Sequence, residues 1–99
     1  MDILDLTRKM DAFVHTKGWY LADSCRPQTP RNLAISLSLE SNEVLEHFQW
    51  DDDIKDRNEL ENELADVALY LLQLASVAGI DLEKAILNKL AINAAREWD

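Results

Sequence analysis

Glycine and proline occur only twice each in 99 residues, too few to punctuate the many short strands of a β-sandwich or barrel. That scarcity leaves room for long helices. Cysteine occurs once, as Cys25, so no intrachain disulfide can form, and no second thiol or paired histidine suggests a thiolate metal site. Cations are also scarce, with 10 Lys and Arg against 19 Asp and Glu for a net charge of −9. Such a surface repels a phosphate polymer, because proteins that bind DNA or RNA draw affinity from cations that neutralise phosphates. A small phosphorylated ligand remains feasible if divalent cations stand between it and the acids. No apolar run approaches the ~20 residues that span a bilayer, and Met1-Asp2-Ile3-Leu4-Asp5 lacks the basic-then-apolar order of a signal peptide. The expectation is one all-α domain over residues 1–99, cytoplasmic, with neither a nucleic-acid polymer nor a membrane as partner.

Four helices follow from the pattern of what is present. Ile3, Leu6, Met10, Phe13 and Val14 recur at helical spacing between an N-cap at Asp2 and a C′ glycine at Gly18. Periodicity then lapses from Trp19 to Thr29, which reads as an ordered loop carrying aromatics. Thr29-Pro30 restarts the chain, with a hydroxyl cap followed by a residue that has no N–H to waste. The second helix is expected from Pro30 to about Gln49, with Leu33, Leu37, Val44 and Phe48 on one stripe. The run Asp51-Asp52-Asp53 lacks the glycine and following glutamate of a calcium loop and reads as a solvated connection. Asn58 with Glu61 resembles a capping box for a third helix, striped by Leu60, Leu64, Val67, Leu71 and Leu74 and ending near Gly79. Asp81 caps a fourth helix, expected to bury Leu82, Ile86 and Leu90 and to run on toward Trp98.

Several carboxylates fall where apolar residues belong. At 100° per residue Glu40 lies about 20° from Leu33 and about 40° from Val44, inside the apolar stripe. Glu43 follows at i+3, where Cβ atoms are roughly 5–6 Å apart. Glu63 and Asp66 repeat the spacing at the edge of the third stripe, which Tyr70 continues. Burying such a cluster is costly unless it is paired, protonated or metal-bound, and magnesium takes oxygen ligands shared with substrate phosphates. The competing reading is chance, since a chain with 19 acids sets many pairs three apart on exposed helices. Glu46, Glu59 and Glu61 read as solvated acids. A carboxylate-bridged di-iron bundle would need Glu-x-x-His on two helices. His47 follows Glu43 by four and His15 stands alone, so both read as ordinary polar or partly buried residues.

The pair Glu40-Ser41-Asn42-Glu43 followed by Glu63-Leu64-Ala65-Asp66 resembles the E-x-x-E plus E-x-x-D signature of the MazG-like all-α nucleotide pyrophosphohydrolases. Pro30-Arg31-Asn32-Leu33, Phe48-Gln49-Trp50, Asp66 to Leu71 and Lys89-Leu90-Ala91-Ile92-Asn93 resemble the dCTP pyrophosphatase branch of that family. The resemblance implies a four-helix-bundle protomer assembling as a dimer or tetramer, with a homotetramer of paired dimers expected. It implies Mg²⁺, with Mn²⁺ as an alternative, held by Glu40, Glu43, Glu63 and Asp66. It further implies conversion of a (d)NTP, such as dCTP, into (d)NMP and pyrophosphate in nucleotide-pool house-cleaning, with Glu43 or Glu63 as the catalytic base. By position, Trp19 and Trp50 would flank the base, Tyr70, Lys89 and Asn93 would sit near sugar and phosphates, and Arg31 would be a further substrate contact. Lys89 and Asn93 are i, i+4 on one helix face, which suits a triphosphate and equally suits a solvated polar face. The alternative function is a non-enzymatic helical interaction module whose acids form an acidic face and whose stripes dock a partner helix.

Overall fold

The computed structural model describes residues 1–98. It contains four helices, α1 (Ile3–Thr16), α2 (Pro30–Glu46), α3 (Arg57–Val77) and α4 (Leu82–Ala95), and no strand among the described residues. The all-α expectation holds, and so does the order of the four helices.

Local chemistry sets most of the boundaries. Asp2 caps α1 by accepting from the Asp5 N–H at 2.9 Å, while Asp5 reaches back to the Asp2 N–H. At the other end Gly18 takes φ +73°, and the N–H groups of Gly18 and Trp19 close onto His15 and Val14. Gly79 repeats the device after α3 at φ +71°, with Gly79 and Ile80 bonding back to Ser76 and Ala75. Both glycines occupy the left-handed position that other residues adopt at a cost. Thr29 and Asp81 cap α2 and α4 as the sequence leads one to expect.

Three boundaries differ from expectation. The third helix is capped by Asp56, which accepts from the Glu59 N–H at 3.0 Å, and not by Asn58. An aspartate reaching its own N3 amide two residues earlier outcompetes the Asn58–Glu61 pairing. The second helix ends at Glu46 because His47, Phe48 and Gln49 tighten into i→i+3 turns. The fourth stops at Ala95, where Arg96 turns to extended backbone.

Packing is uneven. α3 is the central element, lying chiefly against α2 and also against α1, whereas α4 touches only α1 to any extent. Met10, Val14 and Leu72 form the shared core, with Ile3, Trp19, Tyr20 and Leu82 packed against it. Leu33, at 2 % exposure, is the most deeply buried large side chain. The expected stripe of α2 turns inward, since Leu37, Val44 and Phe48 are all partly buried. The expected stripe of α3 turns inward only in part: Leu60, Val67 and Leu74 are partly buried, Leu64 and Leu71 are exposed, and Leu72, Gln73 and Ala75 are buried more deeply. α3 is covered from two sides, so its buried arc is displaced from the most apolar one. α4 buries nothing fully, with Ile86 at 41 % and Leu90 at 59 % exposure. It leaves α3 at 104° and so finds no second helix to lie on.

A polar brace ties α1 to the connection and to α3. The Tyr20 hydroxyl donates to Asp11 Oδ1 at 2.7 Å, and Ser76 Oγ donates to Asp11 Oδ2 at 2.8 Å. Burial, the bond to Asp11 and that carboxylate's charge push the Tyr20 phenol up to about 12, with a hydrogen bond from Gln73 opposing. The fold therefore favours the protonated phenol. Its stabilising contribution is complete below the ordinary tyrosine value of about 10 and is lost as pH climbs from there through about 12. Spectrophotometric titration is expected to show a phenolate step near pH 12 that disappears in Tyr20→Phe. Replacing Leu33 by Ala is expected to cost about 2–5 kcal/mol, since a filled core site is emptied. Urea unfolding at a fixed protein concentration measures it.

Candidate active site

α2 and α3 lie side by side, and their pairing decides where the acids meet. Glu40 sits partly buried in the α2 stripe with its Oε2 buried and without a hydrogen-bond partner. Burial raises its carboxyl above the ordinary glutamate value, and so do a hydrogen bond with Glu43 and the charges of Glu43, Asp66 and Glu63. The four motif acids are thus gathered around Glu40, two from each helix. Glu63 is also partly buried, with Oε2 shielded from solvent, while Glu43 and Asp66 are exposed.

Buried carboxylate oxygens without donors are costly unless a proton or cation completes them, so the donor set suits a hard divalent ion. The four acids nevertheless do not converge fully. Among the described residues, the set whose ligand atoms all fall within 4.8 Å of one another is His47, Glu59 and Glu63. His47 Nε2 lies 2.6 Å from Glu63 Oε2. That approach is close but not aligned as a hydrogen bond, which leaves the oxygen without a bonded donor. Sequence reasoning treated His47 as an ordinary polar residue and Glu59 as a solvated acid. His47 is partly buried as expected, but the α2 terminus also turns it onto a motif acid.

Beside the acids opens a cavity of about 860 Å³ between α1, the α1–α2 connection, α2 and α3. Its volume falls within the range of small-molecule sites. Asp66, Tyr70 and Gln73 contribute from α3, at i, i+4 and i+7 on one face. Met10, Phe13 and Leu33 supply apolar wall, and Trp19 packs edge-on against Phe13 with ring centres 5.7 Å apart. Lys9 and Arg26 bring two cations to the rim. The connection that closes the cavity is held by side chains: Asn32 Nδ2 donates to the Pro27 carbonyl at 2.9 Å, and Gln73 Nε2 donates to Gln28 Oε1 at 2.6 Å.

Asp66 belongs to both the acid group and the cavity wall, so the two form one continuous site. Of the expected substrate contacts, Trp19 and Tyr70 line this cavity; Arg31, Trp50, Lys89 and Asn93 do not. Trp50 is 88 % exposed beside the Asp51–Asp53 run. Lys89 is exposed on α4, and Asn93 has an Oδ1 that is buried and unpartnered. Lys9, Arg26 and Gln73 went unnoticed in the sequence. An amide interrupting Leu71-Leu72-Gln73-Leu74 was the available signal for the last of them.

The chain is similar to several known proteins. The chain is 40% identical over 76 residues to human dCTP pyrophosphatase 1, an alignment covering 68% of this chain and 45% of the relative. It therefore spans about half the length of the curated relatives it matches. A dATP/dGTP diphosphohydrolase of Salmonella phage PMBT28 is 56% identical over 36 residues, covering 36% of this chain and 12% of that protein. A crystal structure of a pyrophosphatase from Archaeoglobus fulgidus superposes with a TM-score of 0.77 at 35% identity, covering 90% of this chain and 85% of that one. The model of the MazG-like family matches residues 35–98, the stretch that contains all four acids, and the chain belongs to that family.

Proposed function

We propose that the chain is a Mg²⁺-dependent nucleoside triphosphate pyrophosphohydrolase, with Mn²⁺ as a possible substitute, converting a (d)NTP such as dCTP into (d)NMP and pyrophosphate in nucleotide-pool house-cleaning. The observation that carries this reading is Asp66, which joins the acid group to the cavity. A nucleoside in the cavity would therefore bring its phosphates to Glu40, Glu43, Glu63 and Asp66. The names of the similar proteins, dCTP pyrophosphatase and dATP/dGTP diphosphohydrolase, support the same class of substrate.

In this mechanism Trp19 and Tyr70 hold the nucleoside through their ring faces. The four acids would hold the cation, which when bound would neutralise the phosphates and acidify water. Glu43 or Glu63 accepts the proton of the water that attacks the α-phosphorus, the P–O bond to the β-phosphate breaks, and pyrophosphate leaves with the electron pair. Lys9 and Arg26 at the rim offset charge on the substrate.

The reading includes a homotetramer built from paired dimers. A radius of gyration of 16.0 Å exceeds the ~13 Å of a compact chain of this length, and α4 exposes Ile86, Leu87 and Leu90 along one face. Covering that face with a second copy would also let Lys89 and Asn93 approach a neighbour's phosphates. Light scattering is expected to give a dimer or tetramer; a fully active monomer would overturn this part.

Incubation with each dNTP plus Mg²⁺ or Mn²⁺ is expected to yield monophosphate and pyrophosphate, with chelation abolishing turnover. Asp66→Ala and Glu40→Ala are each expected to lower kcat/KM by about 100-fold or more. Absence of turnover with every triphosphate, together with retained helicity, would favour the interaction module. Cleavage confined to another pyrophosphorylated metabolite would keep the chemistry and change the substrate.

A further inference from the structure

Hydrogen bonds in the α1–α2 connection determine which way two amides face. The Arg26 carbonyl accepts from Gln28 Nε2 at 2.6 Å. Gln28 must therefore turn its oxygen the other way, and that oxygen accepts from Gln73 Nε2, also at 2.6 Å. An amide carries donor and acceptor on separate arms, so the orientation of Gln73 is inherited from a backbone carbonyl.

Gln73 Oε1 is left over. The residue is 4 % exposed and lines the cavity, yet Oε1 receives no hydrogen bond among the described residues. With Nε2 committed to Gln28, Oε1 is the polar atom through which this cavity-lining residue can meet a ligand. Leaving an amide oxygen at an apolar wall without a donor is unfavourable, and a ligand N–H placed there would relieve it. Asp66, Tyr70 and Gln73 lie along one face of α3, and seven residues advance about 10 Å along the helix axis. The acid end of the site and this oxygen are thus separated along the direction in which a nucleotide extends from phosphate to base.

We propose that Gln73 is a specificity-determining residue whose Oε1 accepts an N–H from the exocyclic amino group of the nucleobase, which favours cytosine and adenine. The assignment rests on the pyrophosphohydrolase reading above. Uracil and thymine carry a carbonyl where cytosine carries the amino group, so they would set two acceptors against each other. Gln28 acts as a positioning residue, since it reaches the base only through the orientation it imposes on Gln73.

The test compares kcat/KM for dCTP, dUTP and the triphosphate of a deoxynucleoside whose pyrimidin-2-one base lacks the 4-amino group, in the wild type and in Gln73→Met. Methionine keeps length and burial but cannot accept from the base. The wild type is expected to favour dCTP over the deaminated analogue by about tenfold, the scale of one neutral hydrogen bond, with the difference carried by KM. Gln73→Met is expected to bring that ratio close to one by raising KM for dCTP. Gln28→Met, which frees the amide to rotate, is expected to lower the ratio as well and serves if Gln73→Met does not fold. Equal wild-type turnover of dCTP and the analogue, or an undiminished ratio in a folded Gln73→Met, would overturn the assignment and leave the pyrophosphohydrolase reading standing. Failure to hydrolyse any triphosphate would overturn both.

Discussion

Like charge concentrated on the seam between α2 and α3 is the constraint on which the other features depend. Two helices that pair through apolar stripes would ordinarily exclude acids from the contact. Here Glu40 stands inside the stripe, and its carboxyl is raised by burial and by three neighbouring acids. Glu40 and Glu63 each keep an oxygen shielded and without a donor. A core of a few deeply buried side chains, led by Leu33, Met10 and Val14, must hold this repulsion together. Countercharge brought from outside would therefore do two things at once, completing the acids and tightening the α2–α3 pairing.

The brace formed by Asp11, Tyr20 and Ser76 answers a different need. The connection from Gly18 to Thr29 has no regular structure, yet it forms one wall of the cavity, and an unanchored wall could not present Trp19 at a defined angle. Asp11 accepts from the loop and from α3 with its two oxygens. Asn32 reaches back from the first turn of α2 to the Pro27 carbonyl. The loop is thereby tied to three helices through hydrogen bonds, at sites away from the acids.

How much was legible in the sequence depends on the range of the forces involved. Caps and C′ glycines act over three or four residues, and Asp2, Thr29, Asp81, Gly18 and Gly79 were all readable from spacing. Asp56 was missed because two caps competed two residues apart, and local pattern alone does not rank them. The acids on α2 were conspicuous because Glu40 violates its own helix's periodicity. The buried face of α3 was read only in part, with Leu60, Val67 and Leu74 on it but Leu72, Gln73 and Ala75 unforeseen, because that helix is covered by two neighbours, whose directions no single stripe encodes. The burial expected of Ile86 and Leu90 failed for a related reason: periodicity reports that a face is apolar and cannot say whether its cover comes from the same chain. Gln73, His47 and the cations Lys9 and Arg26 gain their meaning only from residues distant in sequence.

α3 unites these features in one element. Its Glu63 and Asp66 belong to the acid seam, Tyr70 and Gln73 to the cavity, and Ser76 to the brace, all within four turns. A helix is stiff over that distance, so the spacing between the charged end and the amide end is fixed by backbone geometry and not by loops. The mobile choices are then confined to what meets α3: the connection carrying Trp19 and Gln28 on one side, and the cover over α4 on the other. The acids sit on the helix pair, while the Gln73 amide takes its orientation from the loop through Gln28. That division lets the Gln28 side of the site vary without disturbing the acids, since among the described residues no hydrogen bond joins Gln28 to Glu40, Glu43 or Glu63.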